Sequence, residues 1–483
     1  SLEGVQLADV KEIRIGVIFM DKERVDLLGK HDVKKSLIIL TVPATFAMIV
    51  NALYNLVDTI FVGRGVNDIA IGALSIANPV QMIIMAFALM IGIGSASIFS
   101  RAFGRRDQEV MRRSVNTAVL MGIVVSIVIS ILGFVFLDPL LYLFGAREGN
   151  IQYAHDYLSI ILIGLVPFSL SVIFNNLTRA EGRAKIAMIA MMIGAGVNIV
   201  LDPIFIFDWG LGLGVKGAAI ATVIANIFSF IYVFTSAISK KSNLNIDLKK
   251  IYDVDLSMTT EVASIGFSSF VRNAIGAFLV ILVNNLIIYY AGDDSEIYIS
   301  IFGVVNRLLM FLMMPGFGLI QGLQPLVGFN FGAKLYKRLY DVIKYAKNLM
   351  LIYFFGAFIV SMVFAKQLFN LFSEENNPIF MTDGPIALRI VTAGFILVGF
   401  QIILSSVYQS MGYPLRAFLV AVSRQAILFI PLVFILTKIL GLQGIWFAFM
   451  AADLLAGLIS LLVYLYEMKD LKKKIPGNMN MVL

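Results

Sequence analysis

The stretch "RAFGRRDQEVMRRS", Arg101 to Ser114, separates two long apolar runs and returns in altered form as "FNFGAKLYKRLYD", Phe329 to Asp341. The two stretches align with Gly104 opposite Gly332. Further pairs follow at nearly the same offset: Asn78 with Asn306, Gly182 with Gly412, and Gly217 with Gly444. Such internal symmetry is typical of membrane transporters, and chance rarely produces several blocks at one offset. The sequence therefore predicts two similar halves.

The composition is that of a chain that crosses a membrane many times. Of its 483 residues, 59% are hydrophobic and 14% are charged, with a mean hydropathy of +0.89. A soluble protein carries about 25% charged residues. Water-soluble enzyme classes are therefore excluded, and the sequence has no nucleotide-binding loop or nucleophilic constellation that would indicate an enzyme. It has no cysteine and two histidines, so no metal site is expected beyond a monovalent cation at Asp58 and Asp202.

Twelve apolar stretches are long enough to cross a bilayer, which takes about 20 residues. They begin near Leu37, Ile71, Ser114, Tyr157, Ala184, Leu213, Ala263, Ile297, Tyr340, Ile386, Ala417 and Leu442. An even number of spans places both termini on one side, and the segments on that side hold 29 of the 38 Lys and Arg residues. The positive-inside rule predicts that both termini are cytoplasmic in a multi-pass protein of the cell membrane. The net charge of +7 is thus a topology signal, and no nucleic-acid partner is expected.

The repeat divides the twelve spans into two lobes of six helices. The predicted segments are a cytoplasmic N-terminal segment 1–36, an N-lobe 37–238, a cytoplasmic linker 239–262, a C-lobe 263–466 and a cytoplasmic tail 467–483. Six spans return the chain to its starting side, so the lobes share one topology and are related by an axis along the membrane normal. Two lobes that rock about a central cleft favour a transporter, whereas a channel remains the alternative for a duplicated bundle.

Four segments resemble the multidrug and toxic compound extrusion (MATE) family. They are "NLVDTIFVGR" at 55–64, "FNFGAKLYKR" at 329–338, "SRQAILFIPLVFIL" at 423–436 and "GLQGIWFAFMAADLLA" at 441–456. The resemblance extends from about Ser36 to Tyr466. It implies an all-α integral membrane protein with twelve transmembrane helices, in two lobes around a V-shaped central cleft. It also implies an antiporter that exports organic, often aromatic cations, driven by inward Na⁺ or H⁺ and without another cofactor.

The fifth span points to one branch of that family. Asn198 and Asp202, in "VNIVLDPIF", resemble the pattern of the archaeal and DinF-like branch, which places its coupling site in the N-lobe. Another branch carries a glutamate on the seventh helix, where this chain has Arg272 and Asn273. The resemblance therefore implies coupling through the N-lobe.

Two carboxylates, Asp58 and Asp202, lie deep in predicted N-lobe spans, where an ionisable residue is a functional candidate by default. Asn198 and Asp202 are four residues apart and share one helix face. Asn55 and Thr222 are predicted to add an amide and a hydroxyl. Such oxygens suit a hard cation. The same carboxylates can instead share a proton, because two like charges close together cannot both ionise easily.

Other polar residues in the spans are candidates for the wall of the cleft. They are Tyr54, Asn78, Gln81, Asn175, Asn176, Gln321 and Arg272. Pro43 in the first span is a candidate hinge, because a kink there would move Asp58, although a static kink is an equal alternative. In the C-lobe, Arg307 and Arg424 are predicted to have structural partners, with Asp453 and Glu261 as the available acids.

The sequence thus predicts a secondary-active antiporter that exports organic, cationic and aromatic compounds in exchange for Na⁺ or H⁺ by alternating access. Its partners are small organic substrates and the lipid bilayer, and a monomer is expected because one chain contains a whole pathway. The alternative is a flippase of lipid-linked or anionic amphiphilic precursors on a related scaffold. That alternative requires Arg272 to face the cleft, where a guanidinium can bind an anionic group with two hydrogen bonds.

Overall fold

A computed structural model describes residues 22–66, 68–144, 151–244, 246, 255–372 and 378–475. All regular secondary structure in these ranges is helical. The N-terminal half comprises α1 (Lys22–Gly29), α2 (Val33–Gly65), α3 (Asp68–Arg105), α4 (Gln108–Val135), α5 (Leu137–Leu143), α6 (Ile151–Ile163), α7 (Leu165–Ala180), α8 (Ala184–Ile206) and α9 (Gly214–Ala237).

The C-terminal half repeats the order of the spans, and most of its helices are longer than their counterparts. It comprises α10 (Leu256–Ala291), α11 (Ser295–Gly332), α12 (Tyr336–Asn370), α13 (Pro378–Thr392), α14 (Phe395–Met411), α15 (Pro414–Val422), α16 (Ile430–Leu440) and α17 (Gln443–Lys473). A short 3₁₀ turn, Gly292–Asp294, joins α10 to α11, and a π-helical segment, Ser423–Phe429, joins α15 to α16.

The twelve predicted spans are present in the described residues. Nine segments are long and apolar enough to cross a membrane, and one of these, Leu256–Gly332, contains both α10 and α11. Two further spans are bent helix pairs: α6 and α7 meet at 59°, and α13 and α14 meet at 48°. The structure thus confirms an all-α membrane protein, with two helix pairs forming the fourth and tenth spans.

The backbone confirms the internal repeat. The bend of the fourth span falls at Gly164 and that of the tenth at Gly394. Among the described residues, the non-glycine residues with positive φ are Arg106, at 60°, and Lys334, at 58°. These two follow the aligned glycines of the opening stretch at equal distance. The two halves therefore share unusual local geometry as well as sequence.

The lobes meet through reciprocal close contacts of α3 and α11. A Cβ atom added to Gly104 would lie 2.1 Å from the carbonyl oxygen of Phe329, and one added to Gly332 would lie 2.0 Å from that of Arg101. Gly94 packs as closely on Val262 of α10. These contacts lie in the helix halves nearest the chain termini, which we call the terminus side. Small residues let helix backbones approach this closely in membranes.

The N-terminal helix α1 bridges both lobes on the terminus side. Leu28 is fully buried beside Gly182 of the N-lobe, and its carbonyl accepts hydrogen bonds from Asn330 Nδ2 (3.0 Å) and Arg338 Nε (3.1 Å) of the C-lobe. Arg338 also donates to Ser36 Oγ at 3.2 Å. This helix lies within the predicted N-terminal segment 1–36, of which residues 1–21 are outside the described ranges.

The helices extend beyond the predicted lobe limits. The seventh span begins at Leu256 instead of near residue 263, and the twelfth continues to Lys473 instead of ending near residue 466. The additional helical turns are polar, so a search for apolar stretches does not detect them. In the predicted linker 239–262, Ser242 and the side chain of Asn243 donate hydrogen bonds of 3.1 Å to the buried Glu181.

Candidate functional site

A cluster of buried oxygen atoms lies inside the N-lobe, formed by α2, α8 and α9. Asp58 comes from α2, Asn198 and Asp202 from α8, and Thr222 from α9. The two aspartates and the asparagine are buried. Asn198 Nδ2 donates to Asp202 Oδ1 at 3.1 Å and to Thr222 Oγ1 at 3.3 Å. The structure therefore brings together four of the five residues predicted for coupling.

Close packing at one end of α8 and α9 positions these side chains. A Cβ atom added to Gly217 of α9 would lie 2.4 Å from the carbonyl oxygen of Phe205 on α8. At that distance the helices can only meet through a glycine, and Thr222 then reaches Asn198 one and a half turns along the helix. On the other side, Gly65 of α2 packs against Ile206. The cluster thus depends on backbone contacts that its own sequence spacing does not reveal.

The oxygen atoms of this cluster are incompletely satisfied. The carboxyl groups of Asp58 and Asp202 lie close to each other. Among the described residues, Asp58 Oδ1, Asn198 Oδ1 and Asp202 Oδ2 are buried and have no hydrogen-bond partner. Buried oxygens without a partner are costly, and two carboxylates close together need a proton or a cation between them. Their number and type fit a bound Na⁺ or a shared proton.

Aromatic hydroxyls surround the oxygen cluster. Tyr54 of α2 lies near Thr222 and Asp58. Tyr157 of α6 is buried and lies near Gln81 and Thr222. Tyr54 and Gln81 were predicted as cleft residues and lie here at the edge of the cluster. Tyr157 was not predicted, because it lies at the edge of a span among other polar residues and its spacing matches none of the acids.

The remaining predicted cleft residues fall in different places. Asn78 is exposed on α3. Asn175 is buried within the N-lobe, where its Nδ2 donates to the Ser171 carbonyl at 2.8 Å, so its contacts do not support a place on the cleft wall. The side chain of Asn55 lies outside the described residues. Pro43 is inside the unbroken helix α2, in the segment that packs on α11 through Thr41 and Thr45.

A narrow polar pocket lies between the lobes on the terminus side. Asn176, Arg179, Gln321 and Gln409 contribute to its lining. Arg179 Nη2 donates to Asn176 Oδ1 at 3.0 Å, and Gln409 Nε2 donates to Ser269 Oγ of α10 at 2.9 Å. Asn176 and Gln321, both predicted as cleft residues, therefore lie where the lobes are in contact. Arg179 was not predicted for this pocket, and it is buried where the lobes meet.

The basic residues of the C-lobe have distinct partners. Arg424 Nη1 lies 3.1 Å from Asp453 Oδ1, a buried carboxylate of α17. Glu261 instead pairs across the lobes with Arg101, at 3.0 Å. Arg272 Nη2 donates to Ser269 Oγ at 3.3 Å. The Arg272 guanidinium also lies near that of Arg424. Arg272 and Arg424 are thus neighbours, and Asp453 is the partner of Arg424. The structure does not support the predicted structural pairing of Arg307, because this side chain is exposed on α11.

Fold and site together define a helical membrane transporter built from a duplicated six-span lobe. The family model MatE matches residues 43–204 and, separately, residues 273–435. The chain therefore belongs to the MATE family of transporters. The two matched segments fall one in each half of the chain, which is an independent confirmation of the repeat.

Curated relatives align over most of the chain. The multidrug export protein MepA of Staphylococcus aureus (strain MSSA476) is 26% identical over 453 residues, which are 93% of this chain and 97% of that protein. MepA of Staphylococcus haemolyticus (strain JCSC1435) is 26% identical over 446 residues, or 92% of this chain and 96% of that one. The chain is thus similar in full length to multidrug export proteins.

Solved structures agree with the fold. The MATE multidrug transporter DinF-BH has a TM-score of 0.83 and 37% identity, covering 90% of this chain and 96% of that one. An outward-facing MATE transporter of the MOP superfamily has a TM-score of 0.85 and 26% identity, covering 93% of this chain and 98% of that one. A MOP superfamily transporter of Pyrococcus furiosus, described as having a binding pocket of reverse polarity, has a TM-score of 0.86 and 25% identity, with the same coverage of 93% and 98%.

Proposed function

We propose that this multidrug efflux transporter is a secondary-active antiporter, in which Asp58 and Asp202 exchange Na⁺ or H⁺ for an organic cation. The observation that supports the proposal is the closeness of two buried carboxyl groups, each of which has an oxygen without a hydrogen-bond partner. A buried negative charge of this kind is stable only when a positive charge is present. The pair therefore favours binding one positive charge at a time.

The proposal assigns a direction to the transport cycle. With the Lys- and Arg-rich segments in the cytoplasm, the terminus side is cytoplasmic, and the glycine contacts close the transporter on that side. Asp58 and Asp202 are then reached from the outside through the cleft. Neutralisation of the pair from outside, followed by rocking of the lobes, would release the coupling ion inside. Tyr54 and the hinge candidate Pro43 lie on the same helix, α2, as Asp58. Binding of the coupling ion at Asp58 can therefore be linked to the shape of α2.

The substrate class follows from the charge of the site and from the relatives. A hydrophobic substrate with one positive charge satisfies the carboxyl pair and tolerates a cleft lined by apolar and aromatic residues such as Tyr54. The relatives named as multidrug export proteins support organic compounds of varied shape. We also propose that the chain is a monomer, since one chain carries both lobes and the complete site. The predicted segments 1–36, 37–238, 239–262, 263–466 and 467–483 remain the proposed division of the chain.

Efflux from proteoliposomes tests the proposal. A fluorescent organic cation is loaded, and its release is followed under an imposed Na⁺ gradient and then under an imposed H⁺ gradient. One of the two gradients should drive release by the parent chain, and Asp202→Asn should abolish gradient-driven release while the protein stays folded. Asp208→Asn is the matched control, because Asp208 is exposed and lies just beyond the same helix. Unchanged release by Asp202→Asn would remove the site assignment.

The flippase alternative has one specific observation in its favour. Arg272 lies near Arg424, whose partner is Asp453, so two guanidinium groups and one carboxylate lie in this part of the C-lobe and favour an anionic ligand. The P. furiosus relative with a pocket of reverse polarity shows that this scaffold occurs with other charge patterns. Movement of an anionic lipid analogue between leaflets, lost in Arg272→Gln and retained in Asp202→Asn, would favour the flippase.

A further inference from the structure

A second cavity, of about 230 Å³, opens on the terminus side of the C-lobe. It lies where three spans have their ends: α12 begins at Tyr336, α14 ends at Met411 and α17 ends at Lys473. It is separate from the carboxyl cluster, which lies in the other lobe. Tyr336, Tyr408 and Tyr413 line it. Tyrosines are enriched at the level of the lipid headgroups, which is also the level at which spans end.

The rim of this cavity holds a guanidinium group that is fixed in place. Arg416 lies 5.7 Å from the ring centre of Tyr408 and 5.2 Å from that of Tyr413. Its Nη1 is 2.8 Å from Glu467 Oε1, which also accepts a hydrogen bond of 3.0 Å from the Tyr408 hydroxyl. A guanidinium has more N–H donors than one carboxylate oxygen uses. Because 56% of the Arg416 side chain is exposed, these donors are accessible to a second oxyanion.

A second cation completes the rim. Lys474 lines the same cavity, and its Nζ pairs with Asp470 Oδ2 at 2.9 Å. The Lys474 side chain is 53% exposed, so its ammonium group also remains accessible. A phosphate group, with several acceptor oxygens, matches two accessible cations on the lining of one cavity. Arg416 already lies over the rings of Tyr408 and Tyr413, so these two rings are not open to an organic cation.

The lining of the cavity also includes apolar surface that is accessible. Phe331 and Met411 line it and are half-buried, and Tyr466 lines it and is exposed. Free phosphate makes no use of such a surface, whereas an acyl chain gains about 25 cal/mol for each Å² of apolar surface removed from water. The cavity therefore combines a phosphate-binding rim with a hydrocarbon-binding surface at the depth of the membrane surface.

We propose that this cavity binds a membrane phospholipid from the terminus-side leaflet, with its phosphate held by Arg416 and Lys474 and an acyl chain against Phe331 and Met411. The paired acids at the rim, Glu467 and Asp470, keep the site close to neutral overall. A zwitterionic headgroup, with an ammonium beside its phosphate, therefore fits as well as an anionic one. The proposal does not depend on the exchange of ions at Asp58 and Asp202.

Native mass spectrometry of the purified, delipidated full chain tests the proposal. Phosphatidylethanolamine and phosphatidylglycerol are titrated separately, and bound lipid is counted at each concentration. The parent should retain one lipid more tightly than the others, and Arg416→Gln with Lys474→Gln should weaken that first binding step about tenfold or more, because two charge-assisted hydrogen bonds are lost. Lys438→Gln should bind as the parent does, because Lys438 is exposed at the opposite end of the C-lobe.

Two competition experiments distinguish a bound phospholipid from free phosphate and from the transported substrate. Inorganic phosphate should not displace the retained lipid, and equal displacement would overturn the lipid assignment. A fluorescent organic cation should not compete either, and competition lost in the double variant would show that the cavity belongs to the substrate instead. If the double variant is not monodisperse, Lys474→Gln alone should still weaken retention. Retention equal to the parent in every folded variant would overturn the proposal.

Discussion

Ser97 of α3 donates a hydrogen bond of 2.6 Å to the backbone carbonyl of Gln409 on α14, and the carbonyl oxygen of Ser410 is only 3.2 Å away. These residues belong to different lobes and are buried. A transporter that alternates its access must separate them in each cycle. The contact is therefore a direct measure of whether the terminus side is closed.

Cross-linking of this contact should stop transport. The chain has no cysteine, so Ser97→Cys with Ser410→Cys introduces the sole thiol pair. Oxidation, or a short bifunctional thiol reagent where the geometry does not suit a disulfide, should abolish efflux from proteoliposomes. A reductant should restore the oxidised sample. Each single cysteine variant serves as a control, and a fully cross-linked protein that still transports would contradict alternating access at this contact.

Enlargement of Gly332 should disfavour the closed contact between the lobes. The side chain of Gly332→Leu would start 2.0 Å from the carbonyl oxygen of Arg101, and overpacking of this kind costs about 1–3 kcal/mol. We expect a lower melting temperature and faster labelling of a cysteine placed at Ser97. Gly356→Leu is the control, because no other atom lies within 4 Å of a Cβ atom there. Equal stability of the two variants would show that the contact between the lobes does not require the close packing of Gly332 on Arg101.

The ion pair between Arg424 and Asp453 should contribute more to the stability of the folded protein than a surface ion pair does. Arg424→Gln leaves the buried Asp453 without its cation, and loss of one partner of a buried pair costs about 3–5 kcal/mol. Lys30→Gln removes an exposed partner of Asp26, and such pairs contribute about 0–1 kcal/mol. Thermal unfolding in detergent compares them. Arg424→Leu with Asp453→Leu should recover part of the loss, and a melting temperature as low as that of Arg424→Gln would contradict the pairing.

Release of the N-terminal helix should loosen the terminus side. Arg338→Ala removes hydrogen bonds to the carbonyl of Leu28 and to Ser36 Oγ. Hydrogen exchange should accelerate in residues 22–29, while exchange near Asp202 stays unchanged. Lys337→Ala is the control, because this neighbouring side chain is exposed. If exchange in residues 22–29 is the same in both variants, Arg338 does not anchor this helix.

The sequence predicts most of the fold because lipid forces every span into an apolar run, and because the duplication shows in aligned glycines such as Gly104 and Gly332. It predicts the contact of Asn198 with Asp202, which lie one helical turn apart. The approach of Asp58 to Asp202 depends on how α2 packs on α8, which no local spacing encodes. For the same reason Tyr157 was missed, and the proximity of Arg272 to Arg424 became visible only in the folded C-lobe.

Ion release on substrate binding tests the central claim most directly, namely that Asp58 and Asp202 hold the coupling ion. An organic cation is added to purified protein in weakly buffered solution, and the appearance of H⁺ or Na⁺ is recorded with selective electrodes. The parent and Asp208→Asn should release one of these ions on binding, and Asp58→Asn should bind without release. Release by Asp58→Asn equal to that of the parent would contradict the account.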